Sequence, residues 1–276
     1  MDMTKNRPHE LISRAEVQAG LSPLMGNMKK QKGMVSLLAA LAVLLAAFGS
    51  LCGAVYREAI SPELYGEKSR AAVAREHGMN GEDAVSAYIG MDAARQAEAA
   101  KIIALYMELG KEDTPLALEE LNAKEISHMA DVRRIVEQLG KMRTLWISLA
   151  AGLTVVIAWV GAGLEKRHRS VAIGAACGLG ILALMAAVFA AMMNTSGFST
   201  MFVGLHRLLF ANDNWLLDPA TDMLIRMMPQ TLFETAFADV MGQFARAFAL
   251  ALALMAAVYA VVSGMIRRQL TEEKEA

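Results

Sequence analysis

Four apolar runs almost free of charge constrain this chain more than any other feature. They cover residues 34–55, 145–164, 171–193 and 244–266. Roughly 20 apolar residues are needed to cross about 30 Å of hydrocarbon, and each run meets that length. None contains an acidic residue, and the only basic one is Arg246, at the edge of the fourth run. The expected fold class is an all-α integral membrane protein with four transmembrane helices.

Lysine and arginine bias sets the expected orientation. Lys29, Lys30 and Lys32 precede the first run, Glu165-Lys-Arg-His-Arg169 joins the second to the third, and Arg267, Arg268 and Lys274 follow the fourth. These positions share one face, read as cytoplasmic. The connection 194–243 holds only Arg207 and Arg226 as basic residues, against five acidic ones. The expected order is a cytoplasmic N-terminal extension (1–33), span 1 (34–55), an extracytoplasmic, mostly helical domain (56–142) and span 2 (145–164). A cytoplasmic loop (165–170), span 3 (171–193), an extracytoplasmic interfacial segment (194–243), span 4 (244–266) and a cytoplasmic tail (267–276) follow. The first run is longer than the apolar stretch of a cleavable signal and is expected to be a retained anchor.

This topology places His9 and His168 in the cytoplasm and His77, His128 and His206 outside. His168 lies among basic residues and reads as part of the orientation signal. His77 sits in a polar turn, Glu76-His-Gly78, with no partner motif. His128 and His206 share one compartment, and imidazole exchanges protons readily near neutral pH. Cys52 and Cys177 both fall inside apolar runs, which disfavours a disulfide or a metal site. The formal net charge of −1 argues against a nucleic-acid partner. No Gly-rich phosphate loop, H-E-x-x-H pair or G-x-S-x-G elbow is present.

The outer segments read as helical. A short helix is expected over 81–89 and a longer one over 91–109, with Asp113-Thr-Pro115 as a break. Asn122-Ala-Lys-Glu125 has capping-box spacing and signals a new helix. Met129, Val132, Ile135, Val136 and Leu139 form its apolar arc, with His128 inside the arc and Asp131 at its edge. Two readings of His128 stand at this point: a hydrogen-bonded core residue, or a site residue whose tautomer Asp131 or Glu125 fixes. Phe198, Met201, Phe202, Leu205 and Leu209 mark an amphipathic interfacial helix bordered by His206. Asn212-Asp-Asn-Trp215 follows as a polar turn with an aromatic anchor. Asp218-Pro219 is expected to cap a helix running to Met228, before Pro229.

These segments together resemble the bacterial lipoprotein intramolecular transacylase family. The resemblance rests on Glu125-x-x-His128-Met-x-Asp131-Val, Ser196-Gly-Phe-Ser and His206-x-x-x-Phe210. It rests equally on Trp215-x-x-Asp218-Pro-x-Thr-Asp222-x-Leu-Ile-Arg226-x-x-Pro229, within four spans and an ectodomain after the first. It covers about 34–266, and the first thirty residues read as an extension.

The resemblance implies a reaction in the bacterial cytoplasmic membrane, on its extracytoplasmic face. The partner would be a diacylglyceryl-modified lipoprotein with a free α-amine on its N-terminal cysteine, set in membrane lipid. The acyl chain at the middle glycerol carbon would move to that amine, giving a lyso-form product. The amine is itself the nucleophile, so no serine or cysteine nucleophile and no cofactor are implied. His128 and His206 would carry the proton traffic, with Asp131 and Glu125 as supports. Tyr88, Ser196, Asn214, Trp215, Asp218, Asp222 and Arg226 would be weaker contributors to the lining or oxyanion contacts. Two other readings remain beside it: a metal-dependent hydrolase using both histidines and an Asp, and a non-enzymatic assembly or sensor protein.

Overall fold

The computed structural model describes residues 14–109, 116–162, 164 and 167–275. His9 and the expected break at Asp113-Thr-Pro115 lie outside these residues. Among the described residues all regular structure is helical, in the order α1 (Arg14–Ala59), α2 (Pro62–Tyr65), α3 (Glu67–His77), α4 (Glu82–Ile89), α5 (Ala93–Leu109), α6 (Ala123–Val160), α7 (Arg167–Leu209), α8 (Met223–Met227) and α9 (Gln230–Glu275). Within hydrocarbon no water is available to backbone amides and carbonyls, so apolar runs of this length satisfy them as helices. The four apolar runs fall in α1, α6, α7 and α9, each long and apolar enough to cross a membrane.

α1 is the central helix of the bundle and packs on α6, α7 and α9. Its contact with α7 is close because of Gly174, where a Cβ would stand 2.0 Å from the Ser36 carbonyl oxygen and 2.8 Å from the Ala39 Cβ. Small residues let membrane helices approach in this way, because dispersion contacts replace the missing hydrophobic drive. The Ser36 hydroxyl also donates to the Ser170 carbonyl at 2.8 Å, tying the same pair of helices.

The helices do not stop where the apolar runs stop. α6 carries the expected ectodomain helix and the second span as one 38-residue rod. α9 likewise runs unbroken from Gln230 through the fourth span. Between α1 and α6, the short helices bury a core of their own that includes Val73, Ile89, Ile103 and Met129, and Met223, Met227 and Leu232 join it from the segment before α9. Helix α8 starts later than Asp218-Pro219 suggested. Its first residue is Met223 and its N-cap is Asp222. The residues 218–221 instead form a turn, in which the Asp218 carboxylate accepts the Ala220 amide at 2.9 Å and Asp222 accepts the Asp218 amide at 2.8 Å.

Candidate active site

The start of α6 is built from its own sequence. Asn122 accepts from the Lys124 and Glu125 amides, and Glu125 accepts from the Asn122 amide at 2.8 Å, completing the capping box. The second Glu125 oxygen accepts the Leu224 amide at 2.5 Å, from α8. Glu125 is 1% exposed, so this carboxylate is a buried staple between two distant segments. Asn122 adds a second tie, donating to Asp222 at 2.8 Å. His128 follows one turn further along the rod, 8% exposed, well before the apolar part of α6 begins.

His206 reaches the same place by another route. α7 is broken at Gly197, whose φ of 73° and ψ of 162° are open to glycine and strained for other residues. Beyond the break, Phe198–Leu209 forms the expected amphipathic helix, with Leu205 and Leu208 exposed. The ring centroids of His128 and His206 lie 6.2 Å apart, inclined at 33°. Phe210 lies 5.0 Å from His128 and 5.5 Å from His206, while Phe202 and Trp215 lie 4.2 Å and 5.2 Å from His206. Two imidazoles thus meet inside a three-ring aromatic wall.

The wall shapes their chemistry. His206 Nδ1 stands 2.9 Å from the Phe202 carbonyl oxygen. A carbonyl oxygen only accepts, so Nδ1 carries the hydrogen and Nε2 keeps its lone pair. Burial lowers the His206 pKa from 6.5, with the Phe202 carbonyl pulling the other way. His128 is pushed down further, to about 4, by burial first and by His206 second, with Asp131 opposing both. Its Nδ1 is buried without a hydrogen-bond partner. Both imidazoles are neutral at pH 7.

The supporting residues divide. Asp131 does not hydrogen-bond His128. One of its oxygens pairs with Arg134 and the other accepts from Asn212 at 2.8 Å, so it holds the loop after α7 and reaches His128 only through its charge. Glu125 does not fix the imidazole either, because both its oxygens are taken by backbone amides. The Asn214 amide donates to the Ser127 hydroxyl at 3.0 Å and pins the loop to α6, and Trp215 is part of the wall. Asp218 and Asp222 form the turn before α8. Arg226 donates to the Pro219 carbonyl at 3.3 Å and lies near Gly90 at the end of α4. Tyr88 packs against exposed His77 at 4.3 Å. Ser196 is the helical residue before the break, and its side chain lies outside the described part of the structure.

A search of curated protein sequences finds no match. A family model described as "Lipoprotein intramolecular transacylase Lit" matches residues 79–233, a stretch that includes both histidines and the loop between them and α9. The chain belongs to the lipoprotein intramolecular transacylase family. It is therefore a membrane acyltransferase of lipoprotein modification. Structures of the membrane-integral transacylase from Bacillus cereus share the fold. One is 18% identical, with a TM-score of 0.56 over 83% of this chain and 96% of that one. A variant with a histidine replaced by alanine is 17% identical, with a TM-score of 0.60 over 91% and 100%.

Several site residues escaped the sequence reading. Phe202 and Phe210 were seen as apolar-face and motif residues, yet they flank His206 at i−4 and i+4, a spacing that puts all three on one helix face. Asn212 was read only as part of a polar turn. Nothing local marks its bond to Asp131. The metal reading loses its third ligand: among the described residues no group of three His, Cys, Asp or Glu side chains is placed to hold a metal ion.

Proposed function

We propose that this transacylase moves the acyl chain at the middle glycerol carbon of a diacylglyceryl lipoprotein to the α-amine of its N-terminal cysteine, using His128 and His206 on the extracytoplasmic face. Both termini then lie in the cytoplasm. The observation that carries this reading is the meeting of the two imidazoles at 6.2 Å, from segments remote in sequence, within the residues 79–233 that match the family.

The two roles differ. His206 presents a free Nε2 lone pair and takes the proton from the attacking amine as the new N–C bond forms. The bond from the acyl carbon to the glycerol oxygen then breaks, and the imidazolium returns the proton to that oxygen. His128 stays neutral because of its burial, and a neutral imidazole N–H can donate to the oxyanion without giving up its proton. The substrate amine has an ordinary pKa of about 7.7–8.0 and attacks only when deprotonated. Holding amine and ester together contributes about 7–11 kcal/mol of the barrier, so the aromatic wall and loop matter as much as the proton traffic.

The test is expression in a bacterium that makes only diacylated lipoproteins with free N-termini. Mass spectrometry of the N-terminal lipopeptides is expected to find an N-acyl group and one remaining ester chain. Unchanged N-termini, with the protein present in the membrane, would refute the assignment.

A further inference from the structure

A second group of polar side chains sits at the bundle end opposite the histidine pair. The span part of α7 runs 28 residues from Arg167 to Asn194, about 42 Å at 1.5 Å per residue. At its start, Arg167 is only 5% exposed. Both terminal nitrogens of its guanidinium are buried without a hydrogen-bond partner. Arg167 also lines a cavity of about 240 Å³, together with Ala162, Leu164, His168 and Arg267. Three basic side chains line it, and none of the described lining residues is a carboxylate.

A basic residue that only orients a span extends its head into water or the headgroup layer. Arg167 is folded inward instead. An unpaired buried guanidinium is costly, and arginine cannot relieve the cost by losing its proton. The surroundings are arranged for an anion. His168 Nδ1 lies 3.3 Å from the Tyr259 hydroxyl, and a hydroxyl donating there leaves Nε2–H as a donor. Tyr259, Ser263 and Arg267 recur every fourth residue on α9. Ser263 is 1% exposed, and its hydroxyl also lacks a partner. Arg167 opens a long helix, whose N-terminal amides add positive potential.

We infer that the cavity between the starts of α7 and the end of α9 binds a phosphate group, held by Arg167, Arg267 and His168. A phospholipid headgroup and free phosphate share this chemistry. The inference stands independently of the transacylation reaction, because no residue of the histidine pair takes part.

The experiment is native mass spectrometry of the detergent-purified full chain with three probes: phosphatidylglycerol, diacylglycerol with the same tails, and inorganic phosphate. Phosphatidylglycerol is expected to be retained one to one, and diacylglycerol is expected to wash away. Displacement by an equal concentration of inorganic phosphate assigns the free ion as the ligand, and resistance to it assigns the headgroup. A charge-assisted hydrogen bond is worth tenfold or more in affinity, so Arg267→Gln, at an exposed position, is expected to weaken binding by about tenfold or more. Arg167→Gln is expected to weaken it further. Equal retention of diacylglycerol, retention of neither phosphate probe, or unchanged binding in both variants would overturn the site.

Discussion

His128 and His206 face each other from scaffolds of opposite character. His128 stands on a 38-residue helix that is capped at its start, stapled to α8 by Glu125 and continuous into the membrane. His206 stands on a short amphipathic helix beyond a glycine break, steadied by ring contacts and by its own i−4 carbonyl. The rigid partner is the more deeply buried and the more strongly held neutral. The partner beyond the glycine break keeps its Nε2 lone pair on an amphipathic helix. Fixed dipoles serve best where charge develops, and a group that takes and returns a proton must lie within hydrogen-bond reach of it. The difference in scaffold therefore fits the difference in role proposed for the two histidines.

Substitution of the histidines gives the largest expected effect and can break this division. His206→Ala and His206→Gln should both lose about 10²–10⁴-fold in conversion, because neither side chain shuttles a proton. His128→Ala should lose about 10²–10³-fold, the usual cost of an oxyanion donor. His128→Gln keeps an N–H donor and should recover part of that loss. Equal loss in the two glutamine variants, measured by lipopeptide mass spectrometry, would merge the two roles.

Removing the staple comes next. Glu125→Ala leaves the Asn122 and Leu224 amides without their acceptor, at about 1–3 kcal/mol for each stranded buried group. The expected result is a lower unfolding temperature together with reduced conversion. Reduced activity at unchanged stability would instead give Glu125 a direct role. The same pair of bonds shows what was legible in the sequence. Asn122-x-x-Glu125 announced the helix start, since a capping box is a local pattern. The bond from Glu125 to Leu224 was hidden, because it joins residues far apart. Likewise, Asp218-Pro219 imitates a helix start, while the true N-cap is Asp222, four residues later. The four spans were legible because hydropathy is local. The continuity of α6 was not, because Lys141 and Arg143 interrupt the apolar pattern without interrupting the helix.

Gly197→Ala tests the side beyond the break alone. A side chain at φ 73°, ψ 162° costs about 1–3 kcal/mol of backbone strain, although no neighbour would clash with the added methyl group. Relief of that strain would turn the amphipathic helix and move His206. Conversion should fall about tenfold or more, while the Glu125 staple keeps the short helices between α1 and α6 folded. An active Gly197→Ala protein would mean that the break does not aim His206.

The pH response follows from the lowered pKa values. A histidine whose folded pKa lies below its unfolded value of 6.5 stabilises the fold fully above that pH. The contribution of His128 is then lost as pH falls from 6.5 through about 4. Activity should rise toward pH 8, following the substrate amine at about 7.7–8.0, and the imidazoles should impose no further loss above pH 6.5. An imidazole titration of His128 or His206 centred above pH 6.5, followed by NMR of the labelled protein, would contradict the burial of the pair.

The smallest expected effect comes from His77, and it marks the edge of the site. His77 ends α3, is exposed, and rests against Tyr88 of α4, on an edge of the short-helix cluster that shares no ring contact with the pair among the described residues. An exposed side chain of this kind is worth within about 0.5 kcal/mol, or about twofold. His77→Ala should therefore change neither the unfolding temperature nor the conversion by more than that. Tyr88→Phe keeps the ring and its packing and should behave in the same way. A tenfold loss in either variant would extend the substrate path across α4 toward Gly90 and Arg226. Arg226 would then act on the substrate, beyond its bond to the Pro219 carbonyl.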